Sequence, residues 1–332
     1  MSGNRRIVLA SRPRGWVSEA NFRLVESPMP APGEGQVLVR NHWLSLDPYM
    51  RGRMDDAKSY AKSVEIGEVM VGGTVGEVLE SRDSRLKQGD WVVGSLGWQL
   101  HGVSDARALN KIDPALAPPS SYLGVLGMPG VTAWLGLLEI AQPKPGETVV
   151  VSAAAGAVGS VVGQIAKIRG CRAVGIAGGK TKCDYVVQEL GFDACIDYKA
   201  GKLAEDLKAA APAGVDVCFE NVGGEILDAV LRRMNPFSRV TLCGMIAEYN
   251  ATQAYAYRGL RSVLVNRIRM QGFIVSDHME KWPQAMRQLG EWLKAGKLKY
   301  RETIAAGLEA APRAFIGLLK GENLGKQLVK LT

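Results

Sequence analysis

The 332-residue sequence has no stretch of ~18 uninterrupted apolar residues, so no membrane-spanning helix is expected. Its opening, MSGNRRIVLASRPRG, holds too short an apolar run for a secretory signal. Histidine is scarce: His42, His101 and His278 are scattered. No cysteine precedes Cys171, and the five (Cys171, Cys183, Cys195, Cys218, Cys243) form no Cys-x-x-Cys pair. A catalytic zinc needs His, Cys or carboxylate ligands converging on an open tetrahedral site. Neither that set nor a four-cysteine structural lobe is present, so no metal is expected. The cysteines sit in apolar contexts such as VDVCFE and read as small buried hydrophobes, not a disulfide framework. This points to a reducing, cytoplasmic compartment. The net charge is +8, yet no run of five like charges and no aromatic–basic interleaving occurs. The excess reads as a solvated basic surface or as a site for an anionic cofactor, with nucleic acid and membrane excluded as partners.

Glycine is plentiful, 39 residues against ~7% in an average chain. The length suggests about two domains. Residues 1–120 read as short strands broken by turns, with QVLVRNHWLSL (36–46), VGGTVGEVLE (71–80) and DWVVGSLGW (90–98) as the clearest. The expectation is an irregular, mainly-β module, followed by a Pro-rich hinge at PALAPPSSY (114–122). From about residue 147 the rhythm changes. TVVVSAA, RAVGIAG, ACIDY, VDVCFENV, RVTLCGMI and RMQGFIV (269–275) are buried-looking strands, with helical patterns between most of them. That alternation predicts an α/β class: a six-stranded, doubly wound parallel sheet. MEKWPQAMRQLGEWLKAGKL (279–298) predicts a long helix, and KQLVKL a last strand returning to the first domain.

AAAGAVGSVVGQIAK (153–167) follows the first of those strands and opens a helix. Gly156, Gly159 and Gly163 approximate the dinucleotide fingerprint, although Ala154 stands where its first glycine would be. Such a turn lets the backbone approach a pyrophosphate held by helix N-terminal amides. Gly159 and Gly163 would let helix and strand pack closely. The end of the second strand, 177–179, carries no acidic residue for a ribose diol, and Lys180 and Lys182 follow. Lysines attract a 2′-phosphate that a carboxylate would repel, so NADP(H) is expected, unless the two lysines merely solvate a helix start. ENVGG (220–224) closes the fourth strand and places Asn221 and Val222 towards the nicotinamide ribose. CGMIAEYN (243–250) closes the fifth, placing Cys243, Gly244 and Tyr249 near the same cleft.

With these motifs stand LSLDPYMRGRM (44–54), MPGVTAW (128–134), QGFIV (271–275) and GENLGKQLVK (321–330). Together they resemble the zinc-independent medium-chain dehydrogenases/reductases, in the branch of leukotriene B4 12-hydroxydehydrogenase/prostaglandin reductase, plant double-bond reductases and bacterial curcumin reductase. VEIGEVMVGG lacks the His-Glu pair of the family's zinc enzymes. The resemblance implies a GroES-like substrate domain (1–123 and 296–332) around a Rossmann NADP-binding domain (124–295). It implies NADPH-dependent reduction of the carbon–carbon double bond of α,β-unsaturated ketones or aldehydes, and a homodimer joined edge to edge through the sixth strands.

By position, the resemblance assigns amides of Ala157 and Val158 to the pyrophosphate, and Gly178, Lys182 and Tyr198 to the 2′-phosphate. Asn221, Phe273, Val275 and Asn323 should surround the ribose and nicotinamide. Tyr49 and Tyr249 should line the substrate pocket, Tyr249 as hydrogen-bond donor and acid or as a packing surface only. Val265 departs from a tyrosine found in some relatives. A quinone reductase on the same fold and an NADPH-sensing binding protein are the alternatives.

Overall fold

A computed structural model of the chain describes residues 3–332. Contacts divide it into two compact units: 1–123 with 302–323 and 327–332, and 124–301 with 324–326. The chain therefore leaves the second unit after Arg301, a few residues beyond the boundary expected at 295, and touches it again at Leu324–Lys326.

The first unit contains β1 (Asn4–Leu9), β2 (Phe22–Ser27), β3 (Gln36–Ser45), β4 (Thr74–Ser81), β5 (Trp91–Gly94), β6 (His101–Asp105) and β7 (Asn110–Ile112). β1 and β2 form an antiparallel pair, and β3 is the long central strand of a larger sheet. Val37, Leu38, Val39 and Leu44 of β3 are all buried, and its register against β4 shifts between Leu38 and Val39 and between Asn41 and Trp43, so no simple alternation runs along it.

The second unit holds β8 (Thr148–Ser152), β9 (Arg172–Ala177), β10 (Ala194–Asp197), β11 (Val215–Glu220), β12 (Met234–Leu242) and β13 (Arg269–Gly272). They form one parallel sheet in the order β10-β9-β8-β11-β12-β13, the doubly wound dinucleotide-binding order. β8 and β11, the innermost strands, are apolar runs without alternation because helices cover both faces. β13 is shorter than the RMQGFIV run suggested, ending at Gly272. The expected helix at 279–298 is a 3-10 turn, Val275–Lys281, followed by Trp282–Lys294, with Pro283 in its first turn. Finally β14 (Glu302–Ala306) and β15 (Lys326–Lys330) join the first unit's sheet, where β15 pairs with β3.

Gly163 corrects one expectation. A Cβ there would fall inside the ring of buried Phe192, not against the strand. Gly163→Ala is expected to destabilise the protein by about 1–3 kcal/mol through overpacking. Pairing it with Phe192→Leu should recover part of that loss in urea melts. Strictly additive losses would remove the Phe192 contact as the cause.

Candidate functional site

β8 ends at Ser152 and the chain turns through Ala153, which takes a left-handed φ of 49°. The Ala153 carbonyl accepts the Gly156 amide at 2.9 Å. A Cβ on Gly159 would collide with that same carbonyl, so the turn requires glycine where the helix Gly159–Ile168 begins. Gly325 donates its amide to the Ala155 carbonyl at 2.8 Å and braces the turn from outside. Ala157 and Val158 are half-buried, and neither amide finds an acceptor among the described residues. Unsatisfied N–H groups at the positive end of a helix dipole suit a pyrophosphate.

At the end of β9, Gly178 is overlaid by two side chains. A Cβ there would stand 2.9 Å from the Tyr198 ring and 3.0 Å from Lys199 Cε. Asp197 Oδ1 accepts both the Gly179 amide (2.7 Å) and the Lys199 amide (3.0 Å), tying the ends of β9 and β10 together. Lys182 is half-buried, and its pKa is held below the usual lysine value, by burial first and then by the Lys199 ammonium. Lys180, the other lysine singled out from sequence, instead pairs with Asp184 at 2.6 Å on its own helix. Lys199, next to Tyr198 in CIDYK, is the lysine whose charge reaches Lys182, a neighbour that sequence reasoning did not single out.

The end of β11 is organised by a residue the motif analysis passed over. Glu220 is fully buried, and its Oε1 accepts from Ser152 Oγ (2.7 Å), the Val222 amide (2.6 Å) and the Gly223 amide (2.8 Å). Burial pushes its pKa up in spite of those three bonds. Asn221 donates its side-chain amide to the Ser152 carbonyl (2.8 Å) and its backbone N–H to Ser152 Oγ (2.7 Å), so its side chain holds β11 to β8. Val222 packs on the core beneath the turn. The Cys243 and Gly244 amides both donate to the Glu220 carbonyl, at 2.9 and 3.2 Å. The Cys243 thiol is raised to about 12, by burial and then by the Glu220 charge.

Tyr249 brings its hydroxyl to this place. It accepts the Met245 amide at 3.3 Å, and a Cβ on Gly244 would lie 3.1 Å from it. Gly244 would also stand 3.4 Å from the Asn221 carbonyl, so Asn221, Gly244 and Tyr249 converge at the carboxyl end of the sheet. The Phe273 ring turns inward, edge-to-face on Phe219 with centroids 6.4 Å apart. Half-buried Val275 follows beyond the strand end and gives its carbonyl to Trp282 Nε1 at 3.3 Å. Val265 is half exposed on the short helix Arg261–Val265.

In the first unit, Tyr49 caps the short helix Met50–Arg53, with the Arg53 guanidinium 5.6 Å from its ring centroid. Burial raises its pKa strongly. Asn323 is buried and lines a cavity of about 300 Å³ with Thr303, Arg313, Glu322 and Gln327. His42 stacks on Trp91 and meets Thr332 Oγ1 at 2.7 Å through Nδ1. Among the described residues no three His, Cys, Asp or Glu side chains are grouped so as to hold a metal ion, and no helix is long and apolar enough to cross a membrane.

Comparison with known proteins identifies the family. Residues 5–112 match the family described as the N-terminal domain of oxidoreductase, and residues 157–291 match the one described as zinc-binding dehydrogenase. The chain is 51% identical to the NADPH-dependent curcumin reductase of Escherichia coli (strain K12), over 99% of this chain and 97% of that one. It is 42% identical to a 2-alkenal reductase (NADP(+)-dependent) of Nicotiana tabacum, over 99% and 98%. Among solved structures it resembles CurA from Vibrio vulnificus in complex with NADPH, with 49% identity, a TM-score of 0.95 and 99% of each chain covered. The likeness spans both units, while no metal-ligand set is found in the segment that matches a zinc-named family. The chain belongs to the medium-chain dehydrogenases/reductases, in their zinc-independent branch.

Proposed function

We propose that this protein reduces the carbon–carbon double bond of α,β-unsaturated ketones and aldehydes with NADPH. One observation carries the reading: nearly the whole chain matches relatives named as an NADPH-dependent curcumin reductase and an NADP-dependent 2-alkenal reductase. The basic corner around Gly178 supports the choice of phosphorylated cofactor.

In this reading Gly156 and Gly159 shape the turn, and the Ala157 and Val158 amides bind the pyrophosphate. Lys182 and Tyr198, over Gly178, take the 2′-phosphate. Asn221, Val222, Cys243 and Gly244 form the floor for the nicotinamide ribose; one Asn221 side-chain N–H holds the Ser152 carbonyl, which orients the rest of that amide. Phe273, Val275 and Asn323 complete that surround. When bound, the reduced cofactor supplies hydride to the β-carbon of the enone. Negative charge then grows on the substrate carbonyl oxygen, and the Tyr249 hydroxyl donates a hydrogen bond to it. The Met245 N–H, by donating to the Tyr249 oxygen, strengthens that donor. Tyr249 or water then protonates the α-carbon. Tyr49 lines the substrate pocket. The protein works as a cytoplasmic homodimer; the support is five free cysteines and β13 at the open edge of its sheet.

The test is a panel of enones, alkenals and quinones with NADPH or NADH, followed by loss of reduced-cofactor absorbance. Enone turnover with NADPH should exceed that with NADH by at least about tenfold in kcat/KM, the equivalent of roughly 1.4 kcal/mol. Preference for NADH would overturn the reading of Lys182 and Tyr198. Fast quinones with inert enones would move the activity to quinone reduction.

A further inference from the structure

We propose that Lys199 is a second cationic ligand of the 2′-phosphate and sets the preference for phosphorylated cofactor jointly with Lys182. The inference rests on the NADPH reading above.

Lys199 lies in the 3-10 turn Tyr198–Ala200 that follows β10. Its backbone is pinned. The amide donates to Asp197 Oδ1 at 3.0 Å, and the same oxygen takes the Gly179 amide at 2.7 Å. One carboxylate therefore fixes the loop after β9 and the loop after β10 in a common frame. The side chain then lies over Gly178, with Cε 3.0 Å from where a Cβ would be. That is the strand end at which NAD-binding sheets carry an acidic group for the ribose diol. Here the space belongs to Tyr198 and Lys199.

The charges are arranged for an anion. Lys182 comes in from the helix Lys180–Asp184, and the Lys199 ammonium is close enough to depress its pKa. Lys180, in contrast, is matched by Asp184. Among the described residues Lys199 forms no ion pair, and Asp197 turns Oδ1 to the two amides. The Lys182 and Lys199 ammonium groups repel one another, and an anion between them relieves that repulsion. A phosphate monoester carries close to two negative charges at neutral pH. A single lysine would neutralise about half of that charge; Lys182 and Lys199 together match it.

The experiment compares Lys199→Gln and Lys182→Gln by calorimetric binding of NADPH, NADH, adenosine 2′,5′-bisphosphate and 5′-AMP. Lys199 is exposed, so its variant should melt at the wild-type temperature. Lys199→Gln should weaken NADPH and the bisphosphate about tenfold, leave NADH and 5′-AMP within about twofold, and flatten the salt dependence of NADPH binding. Lys199→Arg should keep most of the affinity. If Lys182→Gln weakens NADPH but Lys199→Gln does not, the Lys199 assignment falls and the NADPH reading stands. Equal weakening of NADPH and NADH by Lys199→Gln would make the residue a support for the turn and overturn the proposal. If wild-type protein binds NADH as tightly as NADPH, the NADPH reading falls with it.

Discussion

Replacing Tyr249 with Phe is expected to lower kcat on an enone by about a hundredfold while leaving the NADPH dissociation constant within about twofold. The magnitude follows from what one preorganised donor contributes to a developing oxyanion, ~10²-fold or more. The split between kcat and binding separates two roles. Tyr249 also accepts the Met245 amide and abuts Gly244, so it could serve only to hold the turn after β12. A supporting role would loosen NADPH and raise its dissociation constant together with the loss in kcat. A role in the reaction leaves binding intact, because the donor matters only once charge appears on the substrate oxygen. Unchanged turnover would remove Tyr249 from the mechanism.

Much of the fold could be read from the sequence, because its strongest signals are repetitive. Six apolar runs separated by helical patterns dictate a parallel sheet, since strands covered on both faces have nowhere to place polar residues. The glycine turn after β8 was legible through Gly159, which a single carbonyl contact makes obligatory. Three features were not, and each depends on which partner a side chain finds in the folded chain. Gly163 reads as a helix–strand contact but meets Phe192, nearly thirty positions on, a pairing that no local period encodes. Lys180 and Lys182 look equivalent in the string, yet an i,i+4 carboxylate claims the first and leaves Lys199 to accompany the second. Asn221 reads as a ligand at a strand end, and the string does not show that its side chain also ties β11 to Ser152 on the neighbouring strand. Strand and turn chemistry is local; the burial and pairing of polar groups is settled only when the strands assemble.

Glu220 combines these themes and gives the largest expected effect on stability. An acidic residue closing an apolar strand looks like a solvated turn, yet it is fully buried and receives three donors on one oxygen. Glu220→Met removes the acceptor for all three. Each orphaned donor costs about 1–3 kcal/mol, so a loss of roughly 3–9 kcal/mol is expected, the lower part applying if the Ser152 hydroxyl turns to another acceptor, with the β11 turn disordered. Glu220→Gln should behave quite differently. Among the described residues, the other carboxylate oxygen meets only Cys218 Sγ, which donates to it at 3.7 Å. A glutamine with its carbonyl oxygen in the Oε1 position therefore keeps the three bonds made there and turns its NH₂ towards the thiol, whose sulfur then accepts instead of donating. It also discards a titration. Burial raises the folded pKa of Glu220 above its ordinary value of 4.5, so the folded chain holds the proton more tightly than the unfolded chain. That contribution is complete below the unfolded pKa and is lost as pH rises through the folded one. Denaturant melts of wild type and Glu220→Gln should thus diverge in the variant's favour as pH climbs above about 4.5. If wild type instead gains on the variant with rising pH, the carboxylate is stabilised in its ionised form, and the three donors on Oε1 outweigh its burial.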